Sequence, residues 1–588
     1  MTTKQLSLRC SVIIFFSFFY LTLFAQKEDY VWMMGGGRGN FPQFTSFYID
    51  FNSYPPKMEG VLQNFRFNVV STSITDMTGQ LLCYSNGVDI KGSDHGVIDN
   101  GNSLTDSLFF SGGLTAPQGT IILPLPEDDN KYFFLTSDIF IFELNFRTIA
   151  AISPLYYAYF DMSLNGGSGE VTSRDHVLNT DTLAGGQFVA TRHGNGRDWW
   201  LICPKYHSNR YHRYLLTLQG IQEMGHQDVG TQVFDDLGSA IFSPDGRHYV
   251  RYNSYAYDTN KVYIDLYDFD RCNGLLSNHR QYEIDRRVPG GVCFSPNSQY
   301  LYVSLWDEIW QYDMTAPDIF DSGIKVAEYD GFLGLNQTLE YPTRFFMMQN
   351  TPDGRIIINI PNVNAQYLHT IQYPDRRGMA CEVQQHSILL PAFNTFTLPN
   401  FPNYRLGPED GSACDTLGLD NLPLARFRFD RDTTDSLHIV FTDLSAFKPE
   451  QWRWDFGDDI GSSFDKNNEY HYAEGGRYEV CLEVSNTFGS DRTCQTIEIG
   501  QITAIQELST IKPKIFPNPF SNQLLLDWSD YPSETQLQIT DVFGRVVYER
   551  QLRREQLLIN TNHWGKGIYF YQISQKDRRL STGKLLKQ

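Results

Sequence analysis

Apolar and polar positions alternate at period two through nearly all of this chain, interrupted by Gly, Pro, Asn and Asp, and helix-period runs are scarce. That pattern predicts strands joined by tight turns. Three units repeat one form: Ala240 to Val250, Val292 to Val303, and Thr351 to Ile358. Each predicts a strand, a Pro-Asp-Gly-type turn and a second strand, with turns opening at Ser243, Ser295 and Thr351, spacings of 52 and 56. Further hairpins are predicted at Ser73 to Leu82, at Pro126 to Phe134, and where Gly194-Asn195-Gly196-Arg197 leads into Trp199 and Trp200. In a later stretch Trp452, Trp454 and Phe456 share one strand face, as do Tyr478, Val480, Leu482 and Val484 on another.

A four-stranded unit recurring every 40–50 residues or so marks a β-propeller blade, and residues 26–405 then hold about seven blades. A strand near Tyr30-Val31-Trp32 is predicted to complete the last blade, because ring closure removes an exposed sheet edge. Gly35-Gly36-Gly37-Arg38-Gly39 has no helix after it, so it predicts an irregular loop near that closure and not an anion site. The Phe-Ser-Pro-Asp-Gly turn resembles those of WD-repeat-like and related bacterial propellers, without the Gly-His and Trp-Asp signature of WD repeats. The whole is therefore expected to be all-β: a propeller over 26–405, a linker over 406–422, a sandwich over 423–500 serving as a spacer, a linker over 501–510, and a small β-sandwich over 511–588.

The two ends of the chain carry address information. Lys4 and Arg9 precede the apolar run Val12 to Phe24, and Ala25 offers a cleavage site, so residues 1–25 predict a secretory signal peptide. The run is too short for a confident span, which needs roughly 20 residues, and no later stretch would cross a bilayer. At the other end stand Phe516-Pro517-Asn518-Pro519, Asp541-Val542-Phe543-Gly544-Arg545, Gly567-Ile568-Tyr569 and Gly583-Lys584-Leu585-Leu586. In that order they resemble the type A C-terminal sorting domain of the type IX secretion system of Bacteroidota. The resemblance implies passage through both membranes to the surface or medium, with the type IX translocon and sorting machinery as partners. It also implies a sorting signal carried by Pro517, Asn518, Pro519, Asp541, Gly544, Arg545, Gly567, Tyr569, Gly583, Lys584 and Leu585. The segment 511–588 has 12 basic and 7 acidic residues, a local +5 against −20 for the chain. That overall acidity excludes a nucleic-acid binder, which concentrates basic charge.

Phe441-Thr442-Asp443, Trp454-Asp455-Phe456-Gly457-Asp458, His471-Tyr472 and Gly476-Arg477-Tyr478-Glu479-Val480 together resemble a PKD domain, which implies an immunoglobulin-like β-sandwich. Asp455, Asp458 and Asp459 lack EF-hand spacing and predict turn bonds, not a calcium loop. Eight cysteines follow the signal peptide, with no C-x-x-C. Strand parity puts Cys481 and Cys494 on outer faces, opposed across a turn at Asn486 to Ser490, and predicts a disulfide between them.

Catalytic motifs are absent. The chain has no G-x-S-x-G elbow, no H-E-x-x-H and no G-x-x-x-x-G-K-[ST] loop. His193, His207 and His212 lack zinc-ligand spacing and predict structural roles. Asp245, Asp353, Asp307 and Glu308 are candidate carboxylates only because acidic residues are numerous, and turn aspartates usually bond their own backbone. No catalytic, cofactor or metal residue is assigned. The expected function is non-catalytic binding or adhesion, with an extracellular glycan or protein recognised by the propeller. The alternative is an extracellular hydrolase of polysaccharide or peptide with its site at the propeller channel.

Overall fold

The computed structural model describes residues 26–36, 44–105, 112–144, 147–232, 238–253, 261–336, 339–432, 434–500, 514–527, 535–542, 545–552, 556–575 and 578–588. The expected signal peptide 1–25, the expected linker 501–510, and Gly37, Arg38, Gly39 and Gly544 lie outside the described residues. Two units emerge. The first runs to Arg431 and includes His438–His471 and Tyr478–Ile497; the second holds Asp432–Leu437, Tyr472–Arg477 and Glu498–Gln588.

Between Val31 and Pro399, sheets of three or four strands succeed one another. The first joins Val31–Met34, Ser46–Asp50 and Lys57–Val61. The next joins Val70–Thr75, Leu81–Ser85 and Ile90–Gly92 with the late strand Leu398–Pro399. Five four-stranded meanders follow, opening at Thr120, Val189, Gly238, Gly290 and Met348. A separate hairpin, Leu333–Asn336 with Leu339–Pro342, stands before the last of them.

The first strands of neighbouring sheets touch around a centre: Val31–Met34 meets Val70–Thr75, which meets Thr120–Pro124. Gly238–Phe242, Gly290–Phe294 and Met348–Asn350 follow one another in the same way. The fold is a propeller. Inward apolar residues pack between sheets, with Trp32, Phe133, Trp199, Leu201 and Leu368 in one cluster and Val250, Ile264, Phe294 and Val303 in another.

Ring closure differs from the sequence expectation. Val31–Met34 does not complete the last blade; it opens a sheet of its own, because Ser46–Asp50 returns antiparallel beside it. Closure falls to Leu398 and Pro399, which pair in parallel with Val70 and Ser71. Gly36 N–H also donates to Phe393 O at 2.9 Å, so Gly36 itself touches the last four-stranded sheet.

The sandwich beyond residue 421 pairs Phe427–Arg431, His438–Asp443 and Asn468–His471 in one sheet. Ser462–Ser463, Gln451–Asp455, Gly476–Asn486 and Gly489–Ile499 form the other. Trp454 and Phe456 are fully buried against Phe441, and Trp452 is half-buried.

In the second unit, Lys514–Phe516, Gln523–Asp527 and Gln556–Asn560 form one sheet. Val546–Leu552, Thr535–Asp541, Gly567–Gln575 and Arg578–Lys587 form another. Leu524, Leu526, Leu537, Ile539, Trp564, Tyr569 and Leu585 fill the core between them.

Candidate functional site

The three repeated turns share one hydrogen-bond pattern. The Ser243 hydroxyl donates to Asp245 Oδ1 (2.5 Å) and accepts from His248 N–H (2.9 Å). Ser295 does the same with Asn297 (2.7 Å) and Tyr300 (2.8 Å). Thr351 donates to Asp353 and accepts from Arg355 N–H at 3.0 Å. Gly246 and Gly354 take φ of 72° and 78°, where a side chain is disfavoured. Ser298 occupies the equivalent position at φ 62°, and its hydroxyl accepts Asp245 N–H at 3.0 Å, linking two sheets. The turns thus form a stiff rim on one face of the propeller.

The PKD-type sandwich is seated on that rim and is more than a spacer. Arg428, only 2% exposed, donates to Asp353 O (2.7 Å) and Gln372 O (3.0 Å) and pairs with Asp430 (2.9 Å). Asp430 also accepts from Tyr54 and from Gln372 Nε2 (3.0 Å). Arg376 pairs with Glu469 at 3.1 Å. The segment 406–422, expected as a linker, is stapled down. Cys414 is disulfide-bonded to Cys272, and Arg271 donates to Gly407 O (2.6 Å) and His193 O (3.1 Å).

Between rim and sandwich lies a cavity of about 510 Å³, within the size range of small-molecule sites. Its walls combine the turn residues Pro244, Asn297 and Pro352 with Asn403 and Arg405 and with Arg426, Asp443 and Lys466 of the sandwich. Burial pulls the Arg426 and Arg271 guanidinium groups down to about 10 and pushes the Asp375 and Asp443 carboxyls up. Each of the aspartates in the wall holds structure. Asp29 takes both arms of Arg405 (2.7 and 2.6 Å), Asp245 accepts Arg247 N–H (3.1 Å), Asp375 accepts Asn297 N–H (3.0 Å) and Asp443 accepts Ser445 N–H (3.1 Å).

The histidines do not converge. His193 contacts Cys272 O (3.1 Å), His212 pairs with Asp181 (3.0 Å) and His207 stacks on Tyr206 (3.7 Å). Among the described residues no cluster of three or more metal-ligating side chains occurs. Asp458 accepts Gly461 N–H (2.7 Å) and Asp455 accepts Gly457 N–H (3.0 Å), as turn aspartates do. Cys481 is bonded to Cys494. The Cys272–Cys414 bridge had no local signal, because 142 residues separate its ends.

In the C-terminal unit the residues expected to carry the sorting signal are placed as follows. Exposed Pro517, Asn518 and Pro519 lie beside the last strand: Asn518 Nδ2 donates to Lys584 O and its Oδ1 accepts Leu586 N–H, both at 2.9 Å. Asp541 and Arg545 pair at 2.7 Å at the hairpin start. Tyr569 donates to Gly565 O at 2.8 Å, Leu585 is buried, and a side chain at Gly583 would strike the Tyr571 ring. Gly567 has open space around it.

These features define an all-β propeller protein with an accessory sandwich. Residues 421–500 match the PKD domain family, and residues 514–588 match the family described as the secretion system C-terminal sorting domain. The chain is thus a type IX secretion substrate, exported to the cell surface or extracellular space. Among the described residues no helix is long and apolar enough to cross a membrane. No curated protein matches the chain. Among solved structures, the PKD1 domain of the Vibrio cholerae metalloprotease PrtV is 28% identical, covering 13% of this chain and 96% of that one (TM-score 0.12). A putative 6-phosphogluconolactonase from Bacteroides uniformis is 12% identical over 63% of this chain and 98% of its own (TM-score 0.37). The periplasmic gluconolactonase PpgL of Pseudomonas aeruginosa is 12% identical over 69% and 95% (TM-score 0.29). The architecture rests on the sheet order itself and not on these scores.

Proposed function

We propose that the exported chain is a binding protein, built as a propeller over 26–405, a PKD-type sandwich over 423–500 and a sorting domain over 511–588. Its ligand is an extracellular glycan or protein held in the cavity between the turn rim and the sandwich. The observation that supports this reading is the engagement of the cavity aspartates. Asp29, Asp245, Asp375 and Asp443 each bind backbone or Arg405, whereas a glycosidase needs a carboxylate pair free to act, about 5–9.5 Å apart. Amides such as Asn297, Gln349 and Asn403 supply the neutral donors and acceptors suited to hydroxyls or peptide groups.

One observation favours the second reading, an extracellular hydrolase of polysaccharide or peptide acting at the channel. Burial raises both Asp375 and Asp443, and a raised carboxyl is what a general acid requires. The test is the secreted full chain on glycan and peptide arrays, beside Lys466→Ala, since Lys466 is an exposed cation in the cavity wall. Retention of a ligand that weakens about tenfold in the variant is expected, the scale of an interface hot spot. Absence of any retained ligand would sink the binding reading.

A further inference from the structure

The opposite face of the propeller carries a second, independent feature. Consecutive hairpin turns alternate between the two ends of a sheet, so the turn between Tyr300–Leu305 and Glu308–Asp313 lies away from the rim formed by Ser295 and its equivalents. At its tip Trp306 has φ 66°, and Asp307 N–H donates to Leu305 O at 2.7 Å. This is the positive-φ form of the γ-turn, rare and strained even for small residues. Positive φ is a genuine outlier for a bulky side chain and strains the backbone.

The surroundings hold the strain in place. Phe345 N–H donates to Trp306 O and Tyr329 N–H to Asp307 O, both at 2.8 Å, while Arg286 Nη2 donates to Leu305 O at 3.0 Å. A glycine would adopt this turn without penalty, so the indole is held there against the backbone's preference. Strain that is over-determined in this way concentrates at ligand clamps.

The chemistry around the indole is specific. Trp306 is half-buried, and Arg344 lies 5.8 Å over its ring and 4.9 Å over the Tyr329 ring. Arg286 bridges Asp307 and Glu308 at 3.1 Å each, Arg344 reaches Asp307 at 3.8 Å, and Lys325 reaches Glu308 at 3.6 Å. Lys325 also pairs with Glu328 at 2.7 Å. Three cations therefore meet three carboxylates, and the patch is neutral in a chain of net charge −20. Adjacent acceptors and donors beside an aromatic face suit vicinal hydroxyls: each hydroxyl can donate to a carboxylate and accept from a guanidinium while the C–H face of the ring packs on indole.

We propose that Trp306, with Arg286, Asp307, Glu308 and Arg344, forms a binding site for a neutral saccharide on the face of the propeller away from the PKD domain. The site needs nothing from the cavity and stands or falls separately from it. The experiment is affinity electrophoresis of the secreted full chain through native gels containing neutral xylan, β-glucan or galactomannan, with acidic alginate as the comparison. Retardation by at least one neutral polysaccharide is expected, weakened about tenfold or more in Trp306→Gly and partly kept in Trp306→Phe. Because glycine relieves the turn, Trp306→Gly should also melt at a higher temperature than the parent, which separates lost recognition from lost folding. Retardation by none of the neutral polysaccharides, retardation by alginate alone, unchanged binding in Trp306→Gly, or a lower melting temperature of that variant would each overturn the proposal.

Discussion

Glu28 shows how one side chain can tune the whole propeller. Its Oε2 is buried with no hydrogen-bond partner, and burial raises its carboxyl to about 7 despite the pull of Arg405 and Arg192. Below the unfolded value near 4.5 both states are protonated and the group costs nothing. Between about 4.5 and 7 the unfolded chain releases a proton that the folded chain keeps, so stability falls as pH rises and then levels off. Glu28→Gln should therefore match the parent at pH 4 and exceed it at pH 8 by up to about 3 kcal/mol in urea unfolding. Equal stability at both pH values would show that the carboxylate is solvated. Neither Glu28 nor Trp306 could be singled out from the sequence. Burial of one oxygen and the sign of one φ are set by distant strands and are not encoded in residue type.

At the scale of elements, what was local was legible. The Ser-Pro-Asp-Gly, Ser-Pro-Asn-Ser and Thr-Pro-Asp-Gly turns carry their hydrogen-bond partners within five residues, and the strands on either side were readable from alternation. Cys481 and Cys494 are 13 residues apart on strands whose parity is visible, whereas Cys272 and Cys414 meet only because the chain returns after the ring is complete. Closure was misassigned for a similar reason: the pairing of Leu398 with Val70 joins distant residues through a two-residue strand that has no pattern of its own. On the loop-entropy account, replacing Cys272 and Cys414 with Ser should cost about 5 kcal/mol, and replacing Cys481 and Cys494 about 3 kcal/mol. Peptide mapping of the non-reduced secreted protein should recover both linked pairs. Free thiols at Cys272 and Cys414 would mean that the 406–422 segment is not fixed on the propeller.

At the scale of the molecule, the C-terminal domain gives destination, and recognition is the role proposed for the propeller and its sandwich. Removing residues 511–588, or only Gly583 to Lys587, should leave the protein in the periplasm of a type IX-competent host, as cell fractionation would show. Normal surface display of the truncated chain would separate the C-terminal domain from export. The address was legible because its elements are contiguous, from Pro517 to Leu585. The cavity was not, because its walls come from turns some 50 residues apart and from a sandwich whose docking rests on Arg428 reaching back to Asp353 and Gln372.

The cavity is proposed to bind and not to cleave. The most direct test is product analysis after the secreted full chain is incubated with each array ligand it retains, beside Asp375→Asn and Asp443→Asn. The account predicts ligand recovered intact from all three proteins, with no new reducing ends and no new amino termini. Turnover by the parent that either substitution abolishes would contradict it and make Asp375 and Asp443 the catalytic pair of a hydrolase.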